Sequence, residues 1–177
     1  MSDLSDPINA NDHVLGPEHA PVVVVEYGDF ECPNCKQAAP SVKLLLERFP
    51  NRVRLAYRHF PLEAAHPHAL MAAEAAESAS EQGKFWQMHD LLFANQQRLE
   101  LKHLREYAEE VGLEMARYVA EMDDHVYLQR IREHQDSGRR SHLRATPGFF
   151  VNGRIQDVSS GLQGLFDAVE AQLVKRP

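Results

Sequence analysis

The segment Phe30-Glu31-Cys32-Pro33-Asn34-Cys35 holds the only two cysteines of the chain. Spaced three positions apart, they admit three kinds of chemistry: a metal clip, a structural disulfide or a reactive dithiol. Zinc or an iron–sulfur cluster needs about four ligands, and no second cysteine pair exists. His66 and His68, or others among the ten histidines, could complete a Cys2His2 set. Their spacing around Pro67 matches no finger pattern, so no bound metal is expected and these histidines read as surface residues. A chain of 177 residues buries roughly 70% of its unfolded surface without staples. The third chemistry needs an ionised sulfur, because the thiolate is the species that attacks a disulfide.

The flanking elements supply that ionisation. Val22 to Val25 is a continuous apolar run, the pattern of a strand covered on both faces, and the strand extends to about residue 27. Gly28-Asp29 leads to Cys32, and Pro33 suits the first turn of a helix, where a missing N–H costs nothing. Cys32 therefore sits at a helix N-terminus, whose dipole and free N–H groups favour a negative sulfur. Cys35 lies one turn inside on the same side. The helix runs to about Arg48, with Val42, Leu45, Leu46 and Phe49 on one face and a kink expected at Pro40. A second strand follows from Val53 to Phe60, in which Val53, Leu55 and Tyr57 alternate with arginines, completing a βαβ unit.

From Pro61 to about Arg144 every periodic stretch reads as helix: Ala65 to Gln82, Lys84 to Asn95, His103 to Val111, Leu113 to Met122 and His125 to Arg140. Phe85, Trp86, Met88, Leu91, Leu92 and Phe93, at helical spacing, read mainly as core of this block, with the lining of a substrate groove as the alternative. Strands return at Phe149 to Val151 and Arg154 to Asp157 around the turn Asn152-Gly153, a strong hairpin signal. Ser160 is placed to cap a last helix with the stripe Leu162, Leu165, Phe166, Val169 and Leu173. The expected fold class is α/β, with a core from residues 1–60 and 145–177 split by a helical subdomain at 61–144.

The net charge of −7 argues against nucleic acid or an anionic membrane as the main partner. Residues 1–11 lack the basic and apolar regions of a secretory signal, and no stretch approaches the roughly 18 apolar residues of a membrane helix. If Met1 is the native start, the expected location is the cytoplasm. A permanent disulfide is disfavoured there, and catalytic or sensory ones are the exception.

The order of FECPNC, RHFPL at 58–62, QGKFWQMHDLLF at 82–93 and TPGFFVNGR resembles the DsbA-like branch of the thioredoxin superfamily, from about Val14 to Leu173. This branch also includes domains fused to transporters. The resemblance implies a thioredoxin-like fold with a central mixed β-sheet and an inserted helical domain. It implies a thiol–disulfide oxidoreductase without a bound cofactor, with Cys32 as nucleophile and Cys35 as resolving thiol. It further implies that Thr146-Pro147 is a cis bond against the cysteines, where the Thr146 backbone pairs with an extended substrate. Pro33 and Asn34 complete that substrate-binding surface. Glu26, by the same resemblance, is a buried acid that relays a proton to or from Cys35. Strongly oxidising relatives carry a histidine where Asn34 stands, so a less oxidising couple is expected. The expected partners are protein or small-molecule disulfides and thiols, together with a redox partner. The reading from another class is a non-catalytic binding module or redox sensor. An isomerase would want two sites joined by a dimerisation element, and none is visible.

Overall fold

In the computed structural model, which describes residues 2–175, the chain runs β1 (His13–Leu15), β2 (Val22–Gly28), α1 (Pro33–Arg48), β3 (Val53–His59) and then α2 (Ala69–Glu81). It continues through α3 (Phe85–Ala94), α4 (Leu101–Glu110), α5 (Met115–Asp123) and α6 (Leu128–Arg140), and closes with β4 (Gly148–Val151), β5 (Arg154–Gln156) and α7 (Gln163–Lys175). The strands form one sheet in the order β1-β3-β2-β4-β5. β2 and β3 are parallel, joined by α1, and the other neighbours are antiparallel, so the sheet is mixed.

The apolar run of β2 is buried on both faces because its alternate side chains serve different clusters. Val22 and Val24 pack with Val42 and Leu45 of α1 and with Leu165, Phe166 and Val169 of α7. Val25 and Tyr27 point the other way, to Ala56, Phe60, Leu143 and Phe150. Each such valine contributes about 1.5–3 kcal/mol of transfer energy. A third cluster joins Phe30, Cys32, Cys35 and Tyr57 to Ala72 and Ala76 of α2, Met88, Leu92 and Phe93 of α3, Leu104 of α4 and Met122 of α5. The helices between β3 and β4 thus wall one side of the cysteine turn. Phe85, Met88, Leu92 and Phe93 are buried in this core, as their spacing implies.

Several local expectations change. β1 has no counterpart in the sequence reading, since three residues beginning with a histidine make too short a pattern. Arg58 does not alternate outward to water: it is 2% exposed, and Asp12 grips it through Nε–Oδ1 at 2.7 Å and Nη2–Oδ2 at 2.8 Å. The helix expected from Ala65 begins at Ala69, because Pro67 disfavours helical geometry at His66 and residues 62–66 instead close turns on the Leu62 carbonyl. α1 continues through Pro40. Ser160 is not the cap of α7, which starts three residues later and leaves Ser160 in the preceding turn. The Asn152-Gly153 hairpin forms as expected, both residues having positive φ, 46° and 79°, as a type I′ turn requires.

Candidate active site

β2 ends at Gly28 and α1 starts at Pro33, so residues 29–32 form the turn that presents the cysteines. Cys32 is the N-cap residue in extended conformation (φ −75°, ψ 121°), with no side-chain cap bond. Its carbonyl accepts the N–H groups of Cys35 at 3.1 Å and Lys36 at 3.2 Å. Both thiols are free, Cys32 being 5% exposed and Cys35 fully buried. The partial exposure implied for an attacking thiol is therefore small in this reduced state.

The two sulfurs are driven in opposite directions. Cys32 is lowered from 9.0 to about 5, first by the Cys35 thiol, which donates to it; burial opposes this, while Thr146 and the N–H groups of Cys35 and Asn34 assist. The helix N-terminus contributes as the sequence implies, but the neighbouring thiol contributes more. Cys35 is raised well above 9.0 by burial, then by the Cys32 charge and Glu26, with a smaller opposing bond from the Asp29 backbone. Glu26 is 3% exposed, and burial raises it to about 8. Its strand position puts it on the Val22 and Val24 face, beneath α1.

The Thr146–Pro147 bond is cis, and the Thr146 carbonyl lies 3.5 Å from Cys32 Sγ, accepting from the thiol. Thr146 Oγ1 is buried with no hydrogen-bond partner among the described residues, and its hydroxyl favours the Cys32 thiolate. Asn34, Thr146 and Pro147 share a groove of about 1010 Å³, also lined by Gln37, Ser41 and Arg144. Pro33 does not join them: it lines a smaller pocket of about 300 Å³ on the other side, with Glu31, His66, His68 and Gln96.

Four residues to which sequence reasoning gave no such role hold the turn. Gln96 Nε2 donates to the carbonyls of Phe30 at 2.9 Å and Cys32 at 2.8 Å. Asp29, 2% exposed, accepts the N–H groups of Glu31 and Leu62 at 2.8 and 2.9 Å, and its carbonyl accepts the Cys32 N–H. His66 Nδ1 lies 2.7 Å from Asp29 Oδ2, and His68 Nδ1 2.9 Å from Glu31 Oε1. These histidines are thus committed to carboxylates rather than free on the surface. The only hint was the pair of acids, Asp29 and Glu31, in the short turn before the cysteines; nothing near Gln96 pointed to it.

Among the described residues one set of side chains converges as metal ligands would: His13, His59 and Glu77, far from the cysteine motif in sequence. Both histidine Nε2 atoms meet Glu77 Oε1, at 2.5 and 2.7 Å, and Arg130 takes Oε2 at 2.7 Å. With the carboxylate neutralised by Arg130, and His59 Nδ1 lacking the acceptor that a metal-bound imidazole uses, the set reads as a buried hydrogen-bond network.

A thiolate at a helix start, a buried second thiol beneath it and a cis-proline loop opposite define a dithiol site on a thioredoxin-like fold. Consistent with this, the sequence model of the thioredoxin family matches residues 9–171. The chain is similar to a thioredoxin-like oxidoreductase from Silicibacter pomeroyi, with a TM-score of 0.83 and 28% identity over 96% of this chain and 95% of that one. BdbD from Bacillus subtilis shares the fold, with a TM-score of 0.83, 22% identity and 91% and 92% coverage. Among curated proteins it is 48% identical over 168 residues to Na(+)/H(+) antiporter NhaA 1 of Salinispora arenicola, covering 94% of this chain and 26% of that protein. It is 40% identical over 166 residues to Na(+)/H(+) antiporter NhaA of Herminiimonas arsenicoxydans, covering 93% and 25%. The chain spans about a quarter of the length of these relatives. The chain belongs to the thioredoxin family. No helix among the described residues is long and apolar enough to cross a membrane.

Proposed function

We propose that the protein is a thiol–disulfide oxidoreductase in which Cys32 attacks a substrate disulfide and Cys35 resolves the mixed disulfide. The observation that carries this is the geometry of the pair: Cys32 at the N-terminus of α1, 3.5 Å from the Thr146 carbonyl of the cis-proline loop, with Cys35 fully buried one turn inside, an arrangement that lowers Cys32 and raises Cys35. At neutral pH the first sulfur is a thiolate and the second keeps its proton. The thiolate displaces one sulfur of the substrate. Cys35 then loses its proton and displaces the other, leaving the Cys32–Cys35 disulfide and transferring two electrons to the substrate. Glu26, raised to about 8, exchanges its own proton near neutral pH, and in its ionised fraction it takes the proton of Cys35. The large groove receives the substrate chain, with the Thr146 backbone as its platform beside Asn34 and Pro147, while Pro33 bounds the opposite side of the nucleophile.

Protein or small-molecule disulfides are the proposed substrates. The curated relatives are Na(+)/H(+) antiporters, which adds an antiporter as a partner to test. A cytoplasmic location is part of the proposal and is checked by cell fractionation.

The deciding experiment is trapping. Cys35→Ser is expected to accumulate mixed disulfides, seen as reductant-sensitive bands above the monomer on non-reducing gels, and Cys32→Ser to accumulate none. Equal trapping by both variants, or none by folded Cys35→Ser, overturns the division of roles and favours the sensor reading.

A further inference from the structure

Neither residue between the cysteines can carry a charge, and α1 has no acid in its first turn. Two titratable cations on the insertion side of the nucleophile, His66 and His68, are instead in the loop between β3 and α2, and His66 is the one bonded to the buried Asp29. His66 is fixed there by two contacts: its N–H bonds the Leu62 carbonyl at 2.9 Å, and its Nδ1 meets Asp29 Oδ2 at 2.7 Å. Asp29 is fully occupied, its other oxygen taking the Glu31 N–H and its carbonyl the Cys32 N–H at 3.1 Å. The imidazole, whose side chain is 19% exposed, borders the small pocket beside Pro33. With Nδ1 committed to a carboxylate, protonation places the second N–H on Nε2, and the charge is held at the turn that carries the reactive sulfur.

We infer that His66, held on Asp29, is a positioning residue for the dithiol chemistry: its imidazolium supplies positive charge to the Cys32 thiolate in the reduced protein, and loses that partner when the sulfur is oxidised. The inference rests on the exchange reading of Cys32. It agrees with the electrostatics of the loop, where burial works against the charged imidazole but Asp29, then Cys32 and Glu31, more than offset it and raise His66 above 6.5. The charges that act on it are Asp29, Cys32 and Glu31 from the cysteine turn; Glu31, His68 from its own loop and Glu100 beside α4 share its pocket.

Coupling between two protonation sites is reciprocal, so whatever the thiolate does to His66, the imidazolium does to Cys32. In the forward reaction Cys32–S⁻ attacks R–S–S–R′, forms Cys32–S–S–R and expels R′–S⁻. The negative charge leaves the site with R′, and His66 then binds its proton less tightly. That proton becomes available to the departing R′–S⁻ or to water, while the Cys35 proton is handled separately when Cys35 displaces R–S⁻.

Two measurements test this on the full chain. Histidine titrations followed by NMR in the reduced protein, and in protein oxidised with glutathione disulfide, are expected to show a lower His66 midpoint after oxidation. In His66→Gln, the Cys32 midpoint from thiolate absorbance is expected to rise by the same amount. Iodoacetamide alkylation at about pH 4.5 is expected to be about threefold slower than in the parent, the size of a partly screened ion pair. A His66 midpoint that ignores redox state overturns the inference, as does a folded His66→Gln with an unchanged Cys32 midpoint. If that variant does not fold, the redox dependence in the parent protein decides alone. Failure of Cys35→Ser to trap substrates is a separate result, since the coupling is read on the free sulfur without any substrate.

Discussion

Glu26 shows most directly what a single residue costs this molecule. It is buried beneath the dithiol and keeps its proton until about 8, whereas the unfolded chain releases it near 4.5. The unfolded state therefore binds fewer protons than the folded state between those values. Stability falls as pH rises from 4.5 to 8, by a few kcal/mol in total. Glu26→Gln is expected to be more stable than the parent at about pH 8.5 and little changed at about pH 4.5, where the folded carboxyl is protonated and the unfolded one about half so. Urea denaturation at the two pH values reads this directly, and a variant no more stable at the higher pH would show that Glu26 is not held neutral. The same substitution is expected to slow resolution of a mixed disulfide near neutral pH, because it removes the acceptor for the Cys35 proton.

At the scale of elements, the short strand β1 matters through what it brings along. Residues 6–12 lie over β3, where Arg58 Nη1 and Nη2 donate to the carbonyls of Asp6 and Pro7 and the Asp12 carboxylate forms a two-pronged pair with the guanidinium. Tyr27 Oη of β2 accepts from the same arginine at 2.9 Å, so the pair also ties two central strands. Asp12→Ala is expected to destabilise the protein by about 3–5 kcal/mol, the cost of leaving a buried charge without its partner. The check is a lower urea midpoint at an unchanged slope. The βαβ unit, the hairpin and the helical block were legible because each carries a period or a turn signature: the valine run, the helical spacing of Val42, Leu45 and Leu46, and Asn152-Gly153. Arg58 was misread because alternation of arginines along β3 looks the same whether the polar face meets water or a second layer of chain.

Across the whole molecule, the network of His13, His59, Glu77, Arg130 and His134 joins β1, β3, α2 and α6. Burial lowers His59 and takes His134 down to about 3, each with smaller contributions from neighbouring charges. Glu77 is held well below 4.5 despite burial, by the bonds from His13 and His59. The unfolded chain therefore takes up protons on these groups that the folded chain refuses. The stability they supply is complete above about 6.5 for the histidines and about 4.5 for Glu77, and is lost as pH falls below those values. Thermal midpoints are expected to drop on acidification from about pH 6.5, opposite in sign to the Glu26 effect, leaving an optimum at mildly acidic to neutral pH. Midpoints that rise steadily down to about pH 4 would show that the network is not the controlling set.

Residue type and spacing alone determined the cysteine pair at a helix start and, β1 apart, the order of strands and helices, because these depend on neighbours a few residues apart. The tertiary structure decided which polar groups meet across long separations. Asp29 meets His66, Gln96 meets the Cys32 carbonyl, and Asp12 meets Arg58, each pair brought together only by the packing of the helical block and the N-terminal segment onto the sheet. A buried acid and a solvated one look alike in a sequence. Their proton affinities differ because desolvation acts on the folded environment and not on the residue type.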